Sequence, residues 1–193
     1  MCVLIRIAKE SDAGTLVDIY APIVRDSAIS FELEPPTAPE FAQRITKTLE
    51  NNPWLVLEKD GEIAGYAYAS EHRMRKAYQW SVDSAIYVHP RYRQQGVGGD
   101  LYHKLFDILR LQGYYNVYAG VTLPNDSSIR LHKSLGFRPV GVYESVGYKL
   151  GAWHDVCWWQ LALQYHKDNP AMPLRFPQLS IVSLEATLTQ GRP

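Results

Sequence analysis

Apolar and polar residues along the chain follow two periods, one typical of β-strands and the other of helices. Short alternating or apolar runs predict strands over residues 3–8, 54–58, 62–69, 79–88, 117–121, 138–150 and 154–163. Runs with a period of about 3.6 residues predict helices over about residues 12–24, 38–49, 97–111 and 126–135. Hairpins join the early strands and helices join the later ones. The pattern therefore predicts an α/β (α+β) fold, a mixed sheet with helices on its faces.

Turn and cap residues mark three of these boundaries. Thr37 and Glu40 form a capping-box pattern, which locates the start of the second helix. Asp60-Gly61 separates two strands and is typical of a tight hairpin turn. Gly113 follows the third helix, where a glycine commonly ends a helix.

Composition excludes several classes of protein. The 193 residues suit one domain with a sizeable core, and 20 lysine and arginine residues balance 20 aspartate and glutamate residues. The zero net charge gives no overall attraction to nucleic acid or to an anionic membrane, and no apolar run is long enough to span a bilayer. Cys2 and Cys157 lie far apart and in no Cys/His cluster, so neither a disulfide framework nor a metal site is expected. The chain begins with a short alternating run rather than a leader, and we expect a cytoplasmic protein.

The C-terminal part of the chain shows a different pattern. After His166 the sequence contains Pro170, Pro173 and Pro177 and has no clear period. We therefore expect a domain over residues 1–165 followed by an extended tail over residues 166–193.

The stretch that precedes the third helix predicts an anion-binding loop. It reads Arg93-Gln94-Gln95-Gly96-Val97-Gly98 and opens directly into the helix. The free amides and the dipole of a helix N-terminus attract phosphate, and glycine lets a phosphate approach the backbone. The residues after Gly98 are Gly99-Asp100, and the glycine spacing is not G-x-G-x-x-G, so neither a Walker loop nor a dinucleotide fingerprint is present. Taken alone, the glycines also fit an ordinary tight turn.

Dispersed motifs make the sequence similar to a known family. Besides the order of elements, these motifs are Arg93-x-x-Gly96-x-Gly98 and Asn125-x-x-Ser128-x-x-Leu131-His132-x-x-x-Gly136-Phe137. They resemble the GNAT superfamily of acetyl-CoA-dependent N-acetyltransferases, over about residues 5–163. Three segments look like its phosphinothricin N-acetyltransferase group: residues 82–89, 123–128 and 147–156. The resemblance implies a mostly antiparallel central sheet that is splayed to admit acetyl-CoA, and a homodimer.

The resemblance also implies which residues hold acetyl-CoA as the co-substrate. The pyrophosphate would lie on the backbone amides of the loop, which consists of Gln94, Gln95, Gly96, Val97, Gly98 and Gly99. Backbone groups of Ile86, Tyr87 and Val88 would bond the pantetheine arm and the acetyl group, much as an added strand would. Asn125 and Ser128 would face the coenzyme from the fourth helix.

Asp83 is the candidate for the base that deprotonates the amine. It shares one face of its strand with Ala85 and Tyr87, and an acid within an apolar strand is expected to have a raised pKa. The alternative is a solvated or ion-paired aspartate at the edge of the sheet. The resembling family usually has glutamate at this position, so Asp83 is one methylene shorter and could act through a water.

His132 is the second catalytic candidate. Asn125, Ser128 and His132 stand at i, i+3 and i+7, which places them on one stripe of the helix. A histidine there could protonate the thiolate or relay the amine proton, and it could equally be structural. The other histidines, His72 among them, belong to no comparable group, and we assign them no role.

Several residues are candidates for binding the acceptor. Arg73, Met74 and Arg75 belong to a basic segment between two strands, where arginine could grip a carboxylate or phosphinate, although the segment could also be a solvated loop. Phe31 and Glu32 belong to an early segment that borders the acceptor site in the resembling family. Glu32 could attract an ammonium group or be a surface charge. Ser84 and Ala85, next to Asp83, are assigned to the same site.

These residues favour an acetyl-CoA-dependent N-acetyltransferase that acts on a small amino-acid-like acid of the phosphinothricin or methionine sulfoximine type. Protein N-termini, aminoglycosides or other amines are alternative acceptors, and a non-catalytic acetyl-CoA-binding module is another alternative. Arg73 and Arg75 argue against a polycationic acceptor, because like charges repel. Asp83 and His132 argue against a mere binding module, because neither is needed to bind the coenzyme. No nucleic acid or membrane partner is expected.

Overall fold

Seven strands form one sheet at the centre of the protein. This computed structural model describes residues 3–189 of the chain. The strands are β1 (Val3–Ile7), β2 (Trp54–Lys59), β3 (Glu62–Glu71), β4 (Ser81–Val88), β5 (Asn116–Thr122), β6 (Arg138–Lys149) and β7 (Ala152–Ala162). Their spatial order is β1-β2-β3-β4-β5-β7-β6, and every neighbouring pair is antiparallel except β4–β5. The predicted mixed, mostly antiparallel sheet is confirmed.

Five helices pack around this sheet in the described residues. They are α1 (Ala13–Asp26), α2 (Ala38–Leu49), α3 (Val97–Gln112), α4 (Asp126–Ser134) and α5 (Ile181–Thr189). The first four were predicted. The capping box before α2 is formed, because the Thr37 amide donates to Glu40 Oε2 over 2.7 Å and the Glu40 amide donates to Thr37 Oγ1 over 3.4 Å. Gly113 ends α3 in the left-handed conformation, with a φ of 93°.

Helices cover both faces of the sheet and bury a core on each. On one face, α1 and α2 pack over aromatic side chains that include Tyr66 and Tyr87. On the other face, α3 packs Leu101 and its neighbours against the sheet. Because side chains alternate along a strand, β4 contributes to both cores, with Val82 on the α3 face and Tyr87 on the α1 face.

The sheet opens between β4 and β5. Residues 81–83 of β4 pair in parallel with residues 116–118 of β5, and the pairing stops there. Beyond this point residues 84–88 pair with β3 alone, whereas residues 119–122 pair with β7 alone. The predicted splay is therefore present, and one edge of β4 is left with unpaired backbone groups.

The C-terminal segment is not the extended tail that its prolines suggested. Residues 181–189 form α5, and Phe176 is buried beside the main core. The Phe176 amide donates to the Asn51 carbonyl over 3.0 Å. Leu184 and Leu188 lie one helical turn apart and pack on the same core. These contacts stabilise the helix although the segment shows no longer helical pattern of apolar residues. The boundary between a domain over residues 1–165 and a tail stays a prediction.

Three further expectations concern membranes, metals and cysteines. No helix within residues 3–189 has both the length and the apolar character needed to cross a membrane. Over the same residues, no group of three or more His, Cys, Asp or Glu side chains could hold a metal ion. Cys157 is a buried free thiol, and Cys2 lies outside the described residues.

Candidate active site

A cleft of about 500 Å³ lies where β4 and β5 separate, and the loop before α3 and one side of α4 complete its walls. Most residues that the sequence assigned to the coenzyme line it: Ile86, Tyr87, Val88, Gln94, Gly96, Val97, Gly98, Gly99, Asn125 and Ser128. The side chain of Gln95 is used elsewhere, since it accepts a hydrogen bond from Lys59 and donates one to the Arg91 carbonyl. One cleft thus brings together residues that lie up to 42 positions apart in the chain, from Ile86 to Ser128.

The loop before α3 has the backbone geometry of an anion site. Gln94 and Gly96 have positive φ values of 59° and 84°, and α3 begins directly afterwards at Val97. A Cβ atom on Gly98 would lie 3.1 Å from Cδ2 of Leu131, so the loop and α4 approach as closely as glycine allows. The free amides and the dipole of α3 fit a pyrophosphate group.

Asp83 lies at the point where the cleft opens, because it is the last residue of β4 that pairs with β5. Its side chain is 26% exposed. Burial raises the pKa of Asp83 above its usual value, and the hydrogen bond from His72 and the charges of His72 and Arg73 oppose this rise. The expected raised pKa is confirmed.

His132 is buried against the cleft, and both of its ring nitrogens are hydrogen-bonded. Nδ1 lies 2.8 Å from the Ser128 carbonyl, and Nε2 lies 3.2 Å from the Tyr102 hydroxyl. A carbonyl can only accept, so Nδ1 carries the proton and Nε2 accepts from Tyr102. Burial lowers the pKa of His132, which favours the neutral ring. The Tyr102 hydroxyl in turn lies 3.3 Å from Ser84 Oγ.

The basic segment between β3 and β4 lies beside Asp83, and its residues differ in position. Arg73 donates from Nη1 to the His72 carbonyl over 2.8 Å, and its guanidinium carbon lies 5.8 Å from the centre of the Trp158 ring. Its charge acts on Asp83. Met74 and Arg75 are exposed, and Met74 is 90% exposed. Arg73 is also exposed, and it is the cation of this segment whose charge acts on Asp83.

Phe31 and Glu32 lie in the connection between α1 and α2, and the structure gives each a defined neighbour. Phe31 packs directly over Gly147, where a Cβ atom would clash with the ring. The carboxylate of Glu32 accepts from both terminal nitrogens of Arg44, over 2.6 and 3.0 Å, and from Tyr20. Because Glu32 already has a cationic partner, its attraction for a substrate ammonium is reduced.

Sequence reasoning missed three side chains that shape this region. His72 donates from Nδ1 to Asp83 over 2.6 Å, although the sequence gave it no role. Tyr102 joins Ser84 to His132. Lys149 is buried and donates to the carbonyls of Val24 and Ser30, over 2.6 Å in each case, which ties β6 to the connection after α1. The only sequence signal for Lys149 is that it lies within the segment over residues 147–156 that resembles the family.

Comparison with known proteins agrees with this geometry. Residues 5–158 match the family described as the Acetyltransferase (GNAT) domain. The phosphinothricin N-acetyltransferase of Streptomyces viridochromogenes is 38% identical over 171 residues, which cover 89% of this chain and 92% of that protein. The L-methionine sulfoximine/L-methionine sulfone acetyltransferase of Salmonella typhimurium is 33% identical over 163 residues, which cover 84% and 95% of the two chains.

A solved structure extends the agreement to the fold. The GNAT superfamily phosphinothricin acetyltransferase from Sinorhizobium meliloti, in complex with AcCoA, has a TM-score of 0.85 to this chain at 31% identity. The match covers 93% of this chain and 98% of that one. This chain thus shares its splayed mixed sheet with an acetyltransferase of known structure. The chain belongs to the GNAT acetyltransferase family and is an N-acetyltransferase.

Proposed function

We propose that this enzyme transfers the acetyl group of acetyl-CoA directly to the α-amino group of a small amino-acid-like acid of the phosphinothricin or methionine sulfoximine type. The observation that carries the proposal is the place of Asp83 at the opening of the cleft, with the charge of Arg73 beside it. One short region thereby offers a base for an amine and a cation for an acid. The named relatives support the same class of acceptor, since both compounds in their names are amino acids.

Acetyl-CoA fits the cleft by two features of this chain. The loop residues Gln94, Gly96 and Gly98 offer amides and open space to the pyrophosphate. The free edge of β4 over residues 84–88 offers backbone donors and acceptors to the peptide-like pantetheine arm. Bound there, acetyl-CoA would supply an acetyl group activated as a thioester. Crystallisation of the related enzyme with AcCoA supports this assignment.

Asp83 is the proposed base. An amine attacks a thioester only after it has lost its proton, and Asp83 would accept that proton from the substrate ammonium, directly or through one water. The raised pKa of Asp83, caused by burial, brings its proton affinity closer to that needed near neutral pH. Ala85, on the same face of β4, adds no polar group that could compete for the amine.

His132 is proposed to act on the other side of the cleft through Tyr102. Both ring nitrogens of His132 are bonded, so its route to the cleft runs through the Tyr102 hydroxyl. Tyr102, Ser84 and His132 all line the inner end of the cleft. The Tyr102 hydroxyl would turn from Nε2 of His132 and give its proton to the leaving thiolate, and the resulting phenolate would regain a proton from solvent after the products leave. Until that step the neutral tautomer of His132 holds the hydroxyl in place.

Arg73 is proposed to bind the acid group of the acceptor. It is held by the His72 carbonyl and by the face of Trp158, which limits the freedom of its side chain. A guanidinium can grip a carboxylate or a phosphinate by two parallel hydrogen bonds. Met74 and Arg75 would border the same site from a more exposed position, and Phe31 would limit its size.

A panel of amines tests this proposal. Release of free thiol from acetyl-CoA is followed with phosphinothricin, methionine sulfoximine, the standard amino acids, a peptide N-terminus and a polyamine. We expect the highest kcat/KM for a free amino-acid-like acid. A clear preference for the peptide or the polyamine would replace the proposed acceptor class, and no thiol release with any amine would remove the proposed activity.

We also propose a homodimer, in line with the resemblance. The strand β6 exposes a run of large apolar side chains, namely Val140, Val142, Tyr143, Val146 and Tyr148. An apolar patch of this kind at one end of a sheet is typical of a protein interface. Light scattering coupled to gel filtration would report a dimer mass, and a monomer at micromolar concentration would contradict this. The cytoplasmic location stays a prediction.

A further inference from the structure

His72 and Asp83 form a close pair on one face of the sheet. The Nδ1 atom of His72 lies 2.6 Å from Oδ1 of Asp83. Within residues 3–189, Oδ2 of Asp83 accepts no hydrogen bond, so one oxygen is held by His72 and the other is left without a partner. The register of β3 and β4 explains the contact: Ser70 lies opposite Asp83, which makes His72 a diagonal neighbour on the same face.

The ring of His72 is itself fixed in place. It stacks on Tyr118 of β5, with ring centres 4.3 Å apart and planes inclined by 13°. The edges of two further rings contact it, those of Tyr78 and Trp158, with centres 5.9 and 6.4 Å away. The side chain is only 11% exposed. An imidazole held on several sides can fix the orientation of a carboxylate, which a mobile surface histidine cannot do.

We propose that His72 is a positioning residue for acetyl transfer: its Nδ1–H group holds Oδ1 of Asp83 so that Oδ2 is presented to the amine. This inference rests on the proposed role of Asp83 as the base. It accounts for a feature of this chain, an aspartate whose carboxylate stands one methylene further back than that of a glutamate. A fixed orientation keeps the shorter side chain aligned with the nitrogen.

The proton balance of the step is simple. The substrate ammonium loses one proton, and Oδ2 of Asp83 gains it, which leaves a neutral amine and a neutral carboxylic acid. Nδ1 of His72 keeps its proton throughout and continues to donate to Oδ1. The resting form that this step needs is an ionised Asp83 that accepts the hydrogen bond from Nδ1 of His72. After product release the proton leaves Asp83 for solvent.

The charged and titratable groups around the pair determine its pH dependence. Arg73 is the nearest permanent cation, and the phenols of Tyr78 and Tyr118 face the His72 ring. The hydrogen bond and charge of His72 hold the pKa of Asp83 below the value that burial alone would give. Removal of the imidazole donor is therefore expected to move the titration of Asp83 to higher pH.

Two variants separate positioning from packing. His72→Phe keeps a ring that can stack on Tyr118 but removes the donor. His72→Asn places an amide N–H near the position of Nδ1 but removes the stacked ring. The matched control is His166→Phe, because His166 also stacks on a tyrosine, Tyr115, and bonds a side-chain oxygen 3.2 Å away on Asn116, which lies opposite Ser81 rather than Asp83.

The readouts are the pH profile of kcat/KM and the titration of the Asp83 carboxyl carbon by NMR without substrate. In His72→Phe we expect the plateau of kcat/KM to fall about ten- to a hundredfold, as for a misplaced catalytic group. The acidic limb and the NMR midpoint of Asp83 should both move to higher pH. His72→Asn should recover most of the plateau, and His166→Phe should match the parent.

The outcomes also distinguish failure of this inference from failure of the proposed function. Asp83→Asn with near-parent activity would remove the base itself. If Asp83→Asn loses activity while His72→Phe keeps the parent plateau and the parent Asp83 midpoint, only the positioning role is wrong. Loss of activity in His72→Phe with an unchanged Asp83 midpoint would assign His72 to packing. If His72→Asn does not fold, the NMR titration midpoint of Asp83 in His72→Phe still decides between positioning and packing.

Discussion

The Nε2 atom of His132 accepts a hydrogen bond from the Tyr102 hydroxyl over 3.2 Å, across the interface between α4 and α3. The opposite ring nitrogen is bonded to the Ser128 carbonyl, so the tautomer is fixed by the chain itself. The sequence had placed His132 on the coenzyme side of its helix. The structure adds that its ring meets the inner end of the cleft through a tyrosine.

This relationship predicts that Tyr102 and His132 act as a unit. Tyr102→Phe keeps the ring that stacks on Phe106 but removes the hydroxyl, and we expect kcat to fall about a hundredfold, with acetyl-CoA affinity unchanged. In the double variant with His132→Asn, kcat should fall little further than in the more damaging single variant, because both changes interrupt one path. If the fall in kcat of the double variant equals the product of the falls in the two single variants, His132 acts independently of Tyr102.

A second prediction concerns stability and follows from the raised pKa of Asp83. Burial favours the protonated carboxyl in the folded state, so its stabilising effect is complete below the usual pKa of 3.8 and is lost as the pH rises through the folded value. Asp83→Asn keeps a neutral side chain at every pH. We expect the variant to gain melting temperature relative to the parent as the pH is raised from about 5 to about 8.

Thermal unfolding of both proteins across this pH range is the measurement. The groups away from this site are common to the two proteins, so the difference between them reports on residue 83 and its partner His72. A variant that becomes less stable than the parent towards neutral pH would mean that the bond from His72 outweighs the cost of burial. An inactive but more stable variant would be typical of a residue retained for function.

The fold was largely predictable because local sequence patterns determine its strands and its first hairpin. Alternation over β2 and β3 and the Asp60-Gly61 turn, where both residues have positive φ, determine that hairpin within a few positions. The coenzyme cleft was predictable for a different reason, since its loop and α4 carry motifs that resemble a family. α5 was missed because nine residues with two partly buried leucines leave a weak helical signal after several prolines.

The contacts of the catalytic candidates could not be predicted, because they depend on tertiary register. His72 meets Asp83 only if Ser70 lies opposite Asp83, and the connection over residues 72–80 contains no turn motif that would determine this register. Tyr102 meets His132 only through the packing of α3 on α4. In the sequence, Tyr102 is one more apolar position on the buried face of a helix.

A third prediction tests the phosphate loop with two glycines of similar conformation. Gly96 and Gly61 have φ values of 84° and 86°, so alanine at either position costs a similar amount, about 1 kcal/mol or more, in stability. Gly96 lines the cleft, whereas Gly61 lies in the hairpin between β2 and β3. Titration calorimetry should show acetyl-CoA affinity reduced at least about tenfold in Gly96→Ala and unchanged in Gly61→Ala. Equal affinities in the two variants would place the pyrophosphate elsewhere.

A fourth prediction compares two arginines of one segment. Both are exposed, but Arg73 contacts Trp158 and its charge acts on Asp83, whereas Arg75 precedes a short 3₁₀ turn. Arg73→Gln should raise the acceptor KM about ten- to a hundredfold, the effect of one charge-assisted hydrogen bond, and Arg75→Gln should raise it less. Esterifying the acceptor carboxylate should raise the acceptor KM of the parent enzyme by a similar factor. It should raise the KM of Arg73→Gln little further, because that variant has already lost the interaction. If both variants discriminate against the ester as strongly as the parent does, Arg73 does not bind the acid group.

The most direct test of the account follows the acetyl group itself by mass spectrometry. In one sample the protein is incubated with isotopically labelled acetyl-CoA and either phosphinothricin or methionine sulfoximine. In a second sample it is incubated with the labelled acetyl-CoA alone. Direct transfer predicts a label on the α-amino nitrogen of the acceptor in the first case and an unlabelled protein in the second. Asp83→Asn should form the same product about a hundred- to ten-thousandfold more slowly. Thiol release without a labelled acceptor, or a label that remains on the protein, would contradict the proposed function.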